Sequence, residues 1–283
     1  MCGPGAEILE LMEEEEMNKI INTDCIDGLK QLEENSVDLC VTSPPYNVGI
    51  KYDDWDDNMP LDNYMDFARE WLTEVYRVLK PDGRIAVNIP YEVNMKKLGG
   101  HNRVLISSDY HQLMKEIGYG FDGIVDLREK APQITKFTAW GSWLSASAPY
   151  MHNPKECVLV GHKHQWKKLE KGESYFDGSQ ESKEEFKEFV GGRWWYFAET
   201  RGMTDANFSL DIPDKAIKMM TYKDDIVLDP FMGSGTTAVS CINLDRRYIG
   251  FEISEKYYNI ANKRIDKVWS KKLTTEKAGE FWK

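Results

Sequence analysis

The sequence predicts an α/β fold, a doubly wound and mostly parallel sheet with helices on both faces. Short apolar runs of strand length alternate with segments of helical period along most of the 283 residues, which is the pattern of repeated strand–helix units. Hydrophobic residues make up 41% of the chain, enough for one large domain or a core with a modest insert. One late strand runs through a glycine turn into a helix, as strands do at the ligand-binding edge of open α/β sheets.

The first half of the chain supplies most of the predicted strands. Two prolines end the second strand abruptly, because proline continues neither a sheet ladder nor a helix. Asp62 is the predicted N-cap of a long amphipathic helix, and Lys80-Pro81-Asp82-Gly83 predicts a turn before the next strand. The predicted helices of this half span residues 26–33, 62–79 and 109–117, and its predicted strands span residues 20–22, 37–42, 84–89, 121–127 and 156–160.

An irregular segment separates these elements from a second regular stretch. Residues 163–205 are rich in Lys, Glu, Gly and aromatic residues without a clean period, which predicts an inserted lobe. Helices are then predicted at residues 213–221, at 236–244 and from 254 onward, with strands at 225–229 and 247–252. Only about 30 residues follow Glu252, so the other strands of a nucleotide-binding sheet must come from upstream. This order predicts a circularly permuted fold with the nucleotide-binding half last.

Charge and composition exclude several classes of protein. The formal net charge of −11 by itself argues against a nucleic-acid partner. Acidic residues, however, are concentrated near the N-terminus of the sequence, and residues 263–283 carry seven Lys and Arg against three acidic residues. Five scattered cysteines without a C-x-x-C pair argue against disulfides and against a metal site. The mean hydropathy is −0.55 and no apolar run is long enough to cross a membrane, so we expect a cytoplasmic protein.

The glycine turn is the first candidate site. Gly233 and Gly235 allow the backbone to approach a ligand, and the helix that follows offers free N–H groups. The turn is not a Walker A loop, because no lysine follows the second glycine. It meets the loose dinucleotide pattern, and Glu252 at the end of the next strand lies where an acid would accept bonds from ribose hydroxyls. A plain strand-to-helix turn is the alternative for this motif alone.

The second candidate site is the loop Ser43-Pro44-Pro45-Tyr46, at the end of a predicted strand. The prolines stiffen the loop and turn carbonyl groups outward, Ser43 supplies an acceptor oxygen, and Tyr46 supplies a flat face. Such a set suits an exocyclic amino group on a planar base. A rigid turn with a packed tyrosine is the alternative.

Together and in this order, the two motifs resemble the β class of S-adenosylmethionine-dependent DNA amino-methyltransferases. Ser43 to Tyr46 matches the catalytic [D/N/S]-P-P-[Y/F] motif of that family, and Asp229 to Thr237 matches its cofactor motif D-P-F-x-G-S-G-T-T in full. The stretch Gly141-Ser142-Trp143 also resembles the sequences of that family. The resemblance covers most of residues 19–266 and is weak over about 163–205.

The resemblance implies a Rossmann-like methyltransferase fold, circularly permuted with the catalytic half first and the cofactor half last. It implies an acidic N-terminal extension (1–18), a catalytic half (19–162), a target-recognition segment (163–205), a cofactor-binding half (206–270) and a basic C-terminal tail (271–283). Phe208 to Pro213 would pack over the methionine moiety, although Ala206-Asn207 replaces the usual His-Pro there. Ser43, Pro44, Pro45 and Tyr46 would be catalytic, and S-adenosylmethionine would be bound by Asp24, Asp229, Phe231, Gly233, Ser234, Gly235, Thr236 and Glu252.

The implied reaction transfers a methyl group to the amino group of a base flipped out of double-stranded DNA. Family members with Ser at the first motif position mostly resemble cytosine-N4 enzymes, so Ser43 favours cytosine N4 over adenine N6. A methyltransferase acting on RNA or a small molecule and a non-enzymatic nucleotide-binding module are the competing interpretations. The absence of a Pro-Cys nucleophile loop argues against C5-cytosine chemistry.

The sequence predicts double-stranded DNA as a partner and no interaction with a membrane. It decides neither whether a cognate restriction endonuclease exists nor whether the chain forms a homodimer. Lys163, Lys167 and Lys168 interleave with aromatic residues, as does the Arg193-Trp194-Trp195-Tyr196 stretch, so both are expected to hold DNA phosphates. A solvated charged loop is the alternative for these stretches.

Overall fold

The computed structural model describes residues 18–50, 55, 57–94, 103–130, 156–197 and 208–280. In these ranges the helices are α1 (Cys25–Gln31), α2 (Leu61–Val78), α3 (Ile106–Ile117), α4 (Gln180–Val190), α5 (Asp211–Met220), α6 (Thr236–Asn243) and α7 (Glu255–Glu280). The strands are β1 (Lys19–Asn22), β2 (Val37–Thr42), β3 (Leu79–Pro90), β4 (Val93–Asn94), β5 (Arg103–Val104), β6 (Gly120–Glu129), β7 (Glu156–His162), β8 (Arg193–Tyr196), β9 (Ile226–Asp229) and β10 (Arg247–Glu252).

Eight of these strands form one mixed sheet in the order β1-β10-β9-β2-β3-β7-β6-β8. Strand β7 is antiparallel to both of its neighbours, β3 and β6, and the other pairings are parallel. The predicted mostly parallel sheet is therefore confirmed. The glycine-turn strand β9 lies in the middle of the sheet, between β10 and β2.

Helices cover both faces of the sheet, which makes the fold doubly wound. Helices α1, α2 and α3 pack on one face, and α5, α6 and α7 pack on the other. All six residues of β2 are buried, as expected for a central strand with a helix layer on each side.

This topology brings the two candidate motifs together. The carboxyl ends of β1, β2, β9 and β10 lie at one edge of the sheet, called here the carboxyl edge, and the opposite edge is the amino edge. The proline loop follows β2, and the glycine turn follows the neighbouring β9. In open α/β sheets the carboxyl edge is where ligands bind.

The segment expected to be irregular contains a helix and a strand. Strand β8 pairs in parallel with β6, and Ser179 caps α4 by accepting from the Ser182 amide at 3.1 Å. The helix buries only Phe189, and its apolar residues Phe186, Phe189 and Val190 are confined to the last turn, so the apolar stripe that predicts a helix is short. The basic residues from 271 to 280 continue α7 rather than forming a separate tail.

Two local expectations in the first half are wrong. Asp62 does not cap α2, because the helix begins at Leu61 with Pro60 in the cap position. The expected turn at residues 80–83 is a bulge within β3, where Val37 pairs with Leu79 and Leu39 already pairs with Arg84. The extension 1–18 lies outside the described residues except for Asn18, and Gly141-Ser142-Trp143 and Ala206-Asn207 lie wholly outside them.

None of the helices traced in the described ranges is long and apolar enough to cross a bilayer. The same ranges contain no group of three or more His, Cys, Asp or Glu side chains arranged to hold a metal ion.

Candidate active site

The proline loop is held from below by buried tyrosines. The hydroxyl of Tyr64 donates to the Pro45 carbonyl oxygen at 2.8 Å and lies 2.9 Å from the hydroxyl of Tyr110. Both tyrosines are at most 1% exposed, and burial raises the pKa of each phenol, so both remain protonated near neutral pH. The Pro45 carbonyl therefore serves to fix the loop to helix α2.

Three other polar groups of the loop can serve a ligand. The oxygens of the Ser43 and Tyr46 hydroxyls lie 2.9 Å apart, and both residues are partly exposed. Within the described ranges, no backbone donor reaches the Pro44 carbonyl oxygen. The loop thus offers two hydroxyls, one carbonyl acceptor and one aromatic ring.

Asp229 joins the two motifs. Its Oδ1 accepts from the Thr42 hydroxyl at 2.7 Å and from the Phe231 amide at 3.0 Å, and its Oδ2 accepts from the Thr237 hydroxyl at 2.6 Å. The side chain is 1% exposed, and burial raises the pKa of the carboxyl against the lowering effect of these bonds. Because Thr42 directly precedes Ser43, Asp229 fixes the proline loop relative to the glycine turn.

The two glycines of the turn differ in what they face. Both have left-handed φ angles, 54° at Gly233 and 79° at Gly235, which favour glycine. A Cβ atom built on Gly235 would lie 3.2 Å from the Cβ of Ala261 in α7, whereas one on Gly233 meets nothing closer than the Phe231 carbonyl at 4.0 Å. The Cβ direction of Gly235 therefore points at α7, whereas that of Gly233 points into open space.

Glu252 ties the turn to the end of β10. Its Oε2 accepts from the Gly233 amide at 2.8 Å and its Oε1 from the Ser254 amide at 2.9 Å. Beside it, Asn22 pairs with Glu252 in the register of β1 and β10. Asp24 follows, and its Oδ1 caps α1 by accepting from the Ile26 amide at 2.8 Å. Two carboxylates thus stand at neighbouring strand ends of the carboxyl edge.

Phe231, in the glycine-turn motif, packs against helix α2. Its ring packs edge-to-face on Trp71 at 5.4 Å and lies 6.0 Å from the ring of Phe67, both on α2. Phe231 keeps part of its surface exposed. The ring of Phe231 is therefore fixed by contacts with α2 while part of its surface stays accessible to a ligand.

Arg264 is a site residue that the sequence did not reveal. Its Nη1 donates to the Thr236 hydroxyl at 2.8 Å and to the Ser234 side chain at 3.2 Å, and both partners are buried. These bonds join α7 to the glycine turn, about 30 residues away in sequence. Sequence motifs do not relate residues that far apart, so the contact could not be predicted from the chain. The side chains of Ser234 and Thr236 therefore bond to Arg264 of α7.

Two of the lysines expected to hold DNA are structural instead. Lys163 is 5% exposed, and its Nζ donates to the Asn35 side chain and to the carbonyls of Arg77 and Leu79, at 2.9–3.0 Å. These carbonyls end α2, where a cation also complements the helix dipole.

Lys168 pairs with Asp38 and Asp225, each at 3.2 Å. Asp38 and Asp225 lie at the amino edge of the sheet, opposite the proline loop. The expectation of phosphate contacts by Lys163 and Lys168 is therefore wrong.

The glycine turn and the end of β10 together could bind the hydroxyl groups of a ribose. Glu252 presents a carboxylate at a strand end, where such folds bind ribose hydroxyl groups. The open direction above Gly233 leaves room for a ligand beside the N-terminus of α6. The proline loop follows the neighbouring strand β2, so ligands at the two motifs would lie side by side.

Comparisons with known proteins show the family of the chain. The DNA methylase family model N6_N4_Mtase matches residues 37–263. The type II methyltransferase M.MjaVI of Methanocaldococcus jannaschii is 39% identical over 186 residues, covering 66% of this chain and 89% of the relative.

Solved structures share the fold. The Thermus thermophilus protein TTHA0409, complexed with S-adenosyl-L-methionine, superposes with a TM-score of 0.70 at 23% identity and covers 88% of this chain and 93% of its own. PvuII DNA methyltransferase, which is cytosine-N4-specific, gives a TM-score of 0.65 at 20% identity over 89% and 91% of the two chains.

Proposed function

The chain belongs to the DNA methylase family and is an S-adenosylmethionine-dependent DNA amino-methyltransferase, and we propose that its target atom is the N4 nitrogen of cytosine. The observation that carries the proposal is the pair of acceptors in the proline loop, the Ser43 hydroxyl and the Pro44 carbonyl. They stand one strand away from the glycine turn, joined to it through Thr42 and Asp229.

The mechanism we propose uses position and charge stabilisation rather than a covalent intermediate. The lone pair of an exocyclic amino group is delocalised into the ring, so the nitrogen is a poor nucleophile. Hydrogen bonds from its two N–H groups to Ser43 and Pro44 would favour a pyramidal nitrogen and stabilise the charge that develops on it. S-adenosylmethionine supplies the methyl group from its sulfonium. The nitrogen–carbon bond forms as the carbon–sulfur bond breaks, and the nitrogen then loses one proton to water.

Tyr46 supports a flipped base in this mechanism. A base taken out of the duplex loses its stacking energy, and an aromatic ring can replace part of it. The hydroxyl of Tyr46 reaches Ser43 at 2.9 Å, so the same residue that stacks on the base also orients the hydroxyl that binds it.

The hydrogen-bonding chemistry of Ser43 does not by itself select the base. A hydroxyl both accepts and donates, so Ser43 could accept from the amino group or donate to the ring N3 of cytosine, where an ionised aspartate could only accept. Adenine has an equivalent ring acceptor, N1, beside its amino group. The preference for cytosine therefore rests on the resemblance, in which Ser at the first motif position is typical of cytosine-N4 enzymes, and adenine N6 is the second candidate.

The product identifies the base. Unmethylated plasmid DNA incubated with the enzyme and S-adenosylmethionine, then digested to nucleosides, is expected to yield N4-methyldeoxycytidine by mass spectrometry. N6-methyldeoxyadenosine as the sole new nucleoside would contradict the cytosine assignment while leaving amino-methylation intact. Methylation-sensitive sequencing of the same DNA would give the recognition site.

We also propose that DNA lies along the carboxyl edge from the proline loop to β8. Arg193 and Lys130 are exposed there, together with Trp195 and Phe197, and Lys130 lies 4.9 Å above the Phe197 ring. Residues 126 and 128 of β6 share one face of the sheet with residues 193 and 195 of β8 by their register, and Lys130 directly follows β6. Arg128 and Arg193 both pair with Asp126 on that face, at 2.7 and 3.6 Å, yet both remain exposed to a ligand.

The spacing suits a duplex. Strand β8 is four strands away from β2, about 19 Å at 4.8 Å per strand. Half a turn of B-DNA spans roughly 17 Å, so β8 would meet the backbone or groove about half a turn from the flipped base.

A double variant tests this surface. Lys130→Ala with Arg193→Ala is expected to weaken DNA binding and to reduce the slope of log K against log salt by about 0.9 for each lost phosphate contact. Fluorescence anisotropy with a labelled duplex at several salt concentrations measures the slope.

Lys163→Met is the matched control. It removes a cation that bonds only the scaffold, so it should leave the salt slope unchanged and lower the free energy of unfolding by about 1–3 kcal/mol, as measured with urea. The surface is misassigned if the double variant keeps the wild-type slope or if Lys163→Met lowers it.

Type II methyltransferases such as M.MjaVI suggest the biological setting. We propose that this enzyme marks host DNA against a cognate restriction endonuclease.

A further inference from the structure

Directly after Tyr46, four consecutive backbone amides converge on one buried carboxylate. Asp57 Oδ1 accepts from the Asn47 amide at 2.7 Å. Its Oδ2 accepts from the amides of Val48, Gly49 and Ile50, each at 3.0 Å. Asp57 is 2% exposed.

The backbone is shaped to allow this convergence. Asn47 has a left-handed φ of 58° and Gly49 one of 85°, and alternation of right- and left-handed residues turns successive N–H groups toward one centre. Such nests commonly bind anionic ligands, whereas here the anion is a side chain of the same chain. Asp57 accepts four backbone amides, three of them at Oδ2, and its side chain is almost fully buried, so Asp57 is not placed to touch a substrate.

The same short segment holds the loop at two further points. The Asn47 side chain donates to the Met59 carbonyl at 2.9 Å and accepts from the Met59 amide at 2.8 Å. Two residues later α2 begins, and its Tyr64 hydroxyl supports the Pro45 carbonyl. Residues 57–64 therefore hold residues 45–50 in place through hydrogen bonds.

We propose that Asp57 is a positioning residue for methyl transfer, which holds residues 47–50 so that Tyr46 and Ser43 keep the geometry that a flipped base requires. The inference rests on the proposed function. A catalytic group must be held within about 0.5 Å of its productive position, and the left-handed conformation of Asn47 is one that persists only where surrounding contacts fix it. Bonds from amides to an ionised carboxylate are about twice as strong as neutral ones, so a single buried charge supplies the rigidity.

The test is Asp57→Asn, with Asp82→Asn as the matched control. Asp82 is also a buried acid, 6% exposed, and its Oδ2 accepts from the Leu169 amide at 2.6 Å, but it lies at the amino edge. Asparagine at position 57 keeps one acceptor and turns an N–H donor toward the converging amides. We expect the single-turnover rate of methyl transfer to plasmid DNA to fall about 10- to 100-fold in Asp57→Asn, with the dissociation constant for S-adenosylmethionine within twofold of wild type. Asp82→Asn should keep the wild-type rate.

Hydrogen exchange gives a readout that is independent of activity. The amides of residues 47, 48 and 50 should lose protection in Asp57→Asn, while those of α2 and β2 keep it. The Gly49 amide also donates to the Asp57 backbone carbonyl at 2.7 Å, so it is left out of the readout. A wild-type methylation rate in Asp57→Asn, an equal loss of rate in Asp82→Asn, or retained protection at residues 47, 48 and 50 would each overturn the role of Asp57. If the wild-type enzyme itself methylates no DNA, the proposed function fails instead, and the exchange result still decides whether Asp57 holds the loop.

Discussion

Replacing Ser43 with alanine is expected to lower the single-turnover rate of methyl transfer by at least about 100-fold. The hydroxyl would accept a bond from the amino group as charge develops on its nitrogen, and loss of one such preorganised bond in an active site typically costs about 100- to 1,000-fold in rate. The affinity for S-adenosylmethionine should stay within twofold of wild type, because Ser43 has no role in the glycine turn. Rapid-quench measurement of methyl incorporation and calorimetry with the cofactor separate the two effects.

Three variants make this test specific. Ser36→Ala is the control, since the Ser36 hydroxyl donates to the Glu33 carbonyl at 2.7 Å before β2 begins, and its rate should match wild type. Tyr46→Phe removes the hydroxyl that lies 2.9 Å from Ser43 but keeps the ring, so its loss should be smaller than that of Tyr46→Ala. A wild-type rate in Ser43→Ala would disprove the acceptor role even if the product is N4-methyldeoxycytidine.

Local pattern was sufficient for most of the fold. Strand β10 has the predicted bounds, and β2 was recognisable because a largely apolar run stops at two prolines. Sequence pattern did not reveal helix α4, because its apolar residues are confined to the last turn and only one of its eleven residues is buried. The bulge in β3 resembled a turn because residues 80–83 have turn composition, and only pairing with β2 shows that the strand continues through them.

The candidate site was predictable where residues adjacent in sequence act together. The proline loop and the glycine turn are each contiguous, so their chemistry could be inferred from the chain alone. Asp57, Arg264 and the scaffold role of Lys163 depend on contacts between distant elements. Lys163 shows the limit most clearly, because a lysine among aromatic residues has the same composition whether it meets phosphates or, as here, the end of a helix.

Glu252→Ala is expected to raise the dissociation constant for S-adenosylmethionine by at least about 100-fold. A hydrogen bond to a charged group contributes roughly 1.5–3 kcal/mol, and a ribose offers two hydroxyls, so losing both bonds costs at least about 3 kcal/mol, or more than about 100-fold in affinity. The change also releases the Gly233 amide, which now donates to Glu252 at 2.8 Å. Isothermal titration calorimetry with the cofactor measures the loss, and circular dichroism checks that the variant is folded.

The two glycines supply the matched comparison, because their Cβ directions differ. Gly233→Ala places a methyl group in the open space beside the turn, so it should weaken cofactor binding strongly. Gly235→Ala directs its methyl group at Ala261, 3.2 Å away, so it should loosen the packing of α7 and lower the melting temperature. Both residues also have positive φ angles, and that shared strain cancels in the comparison. Wild-type affinity in both Glu252→Ala and Gly233→Ala would show that the cofactor does not occupy this turn.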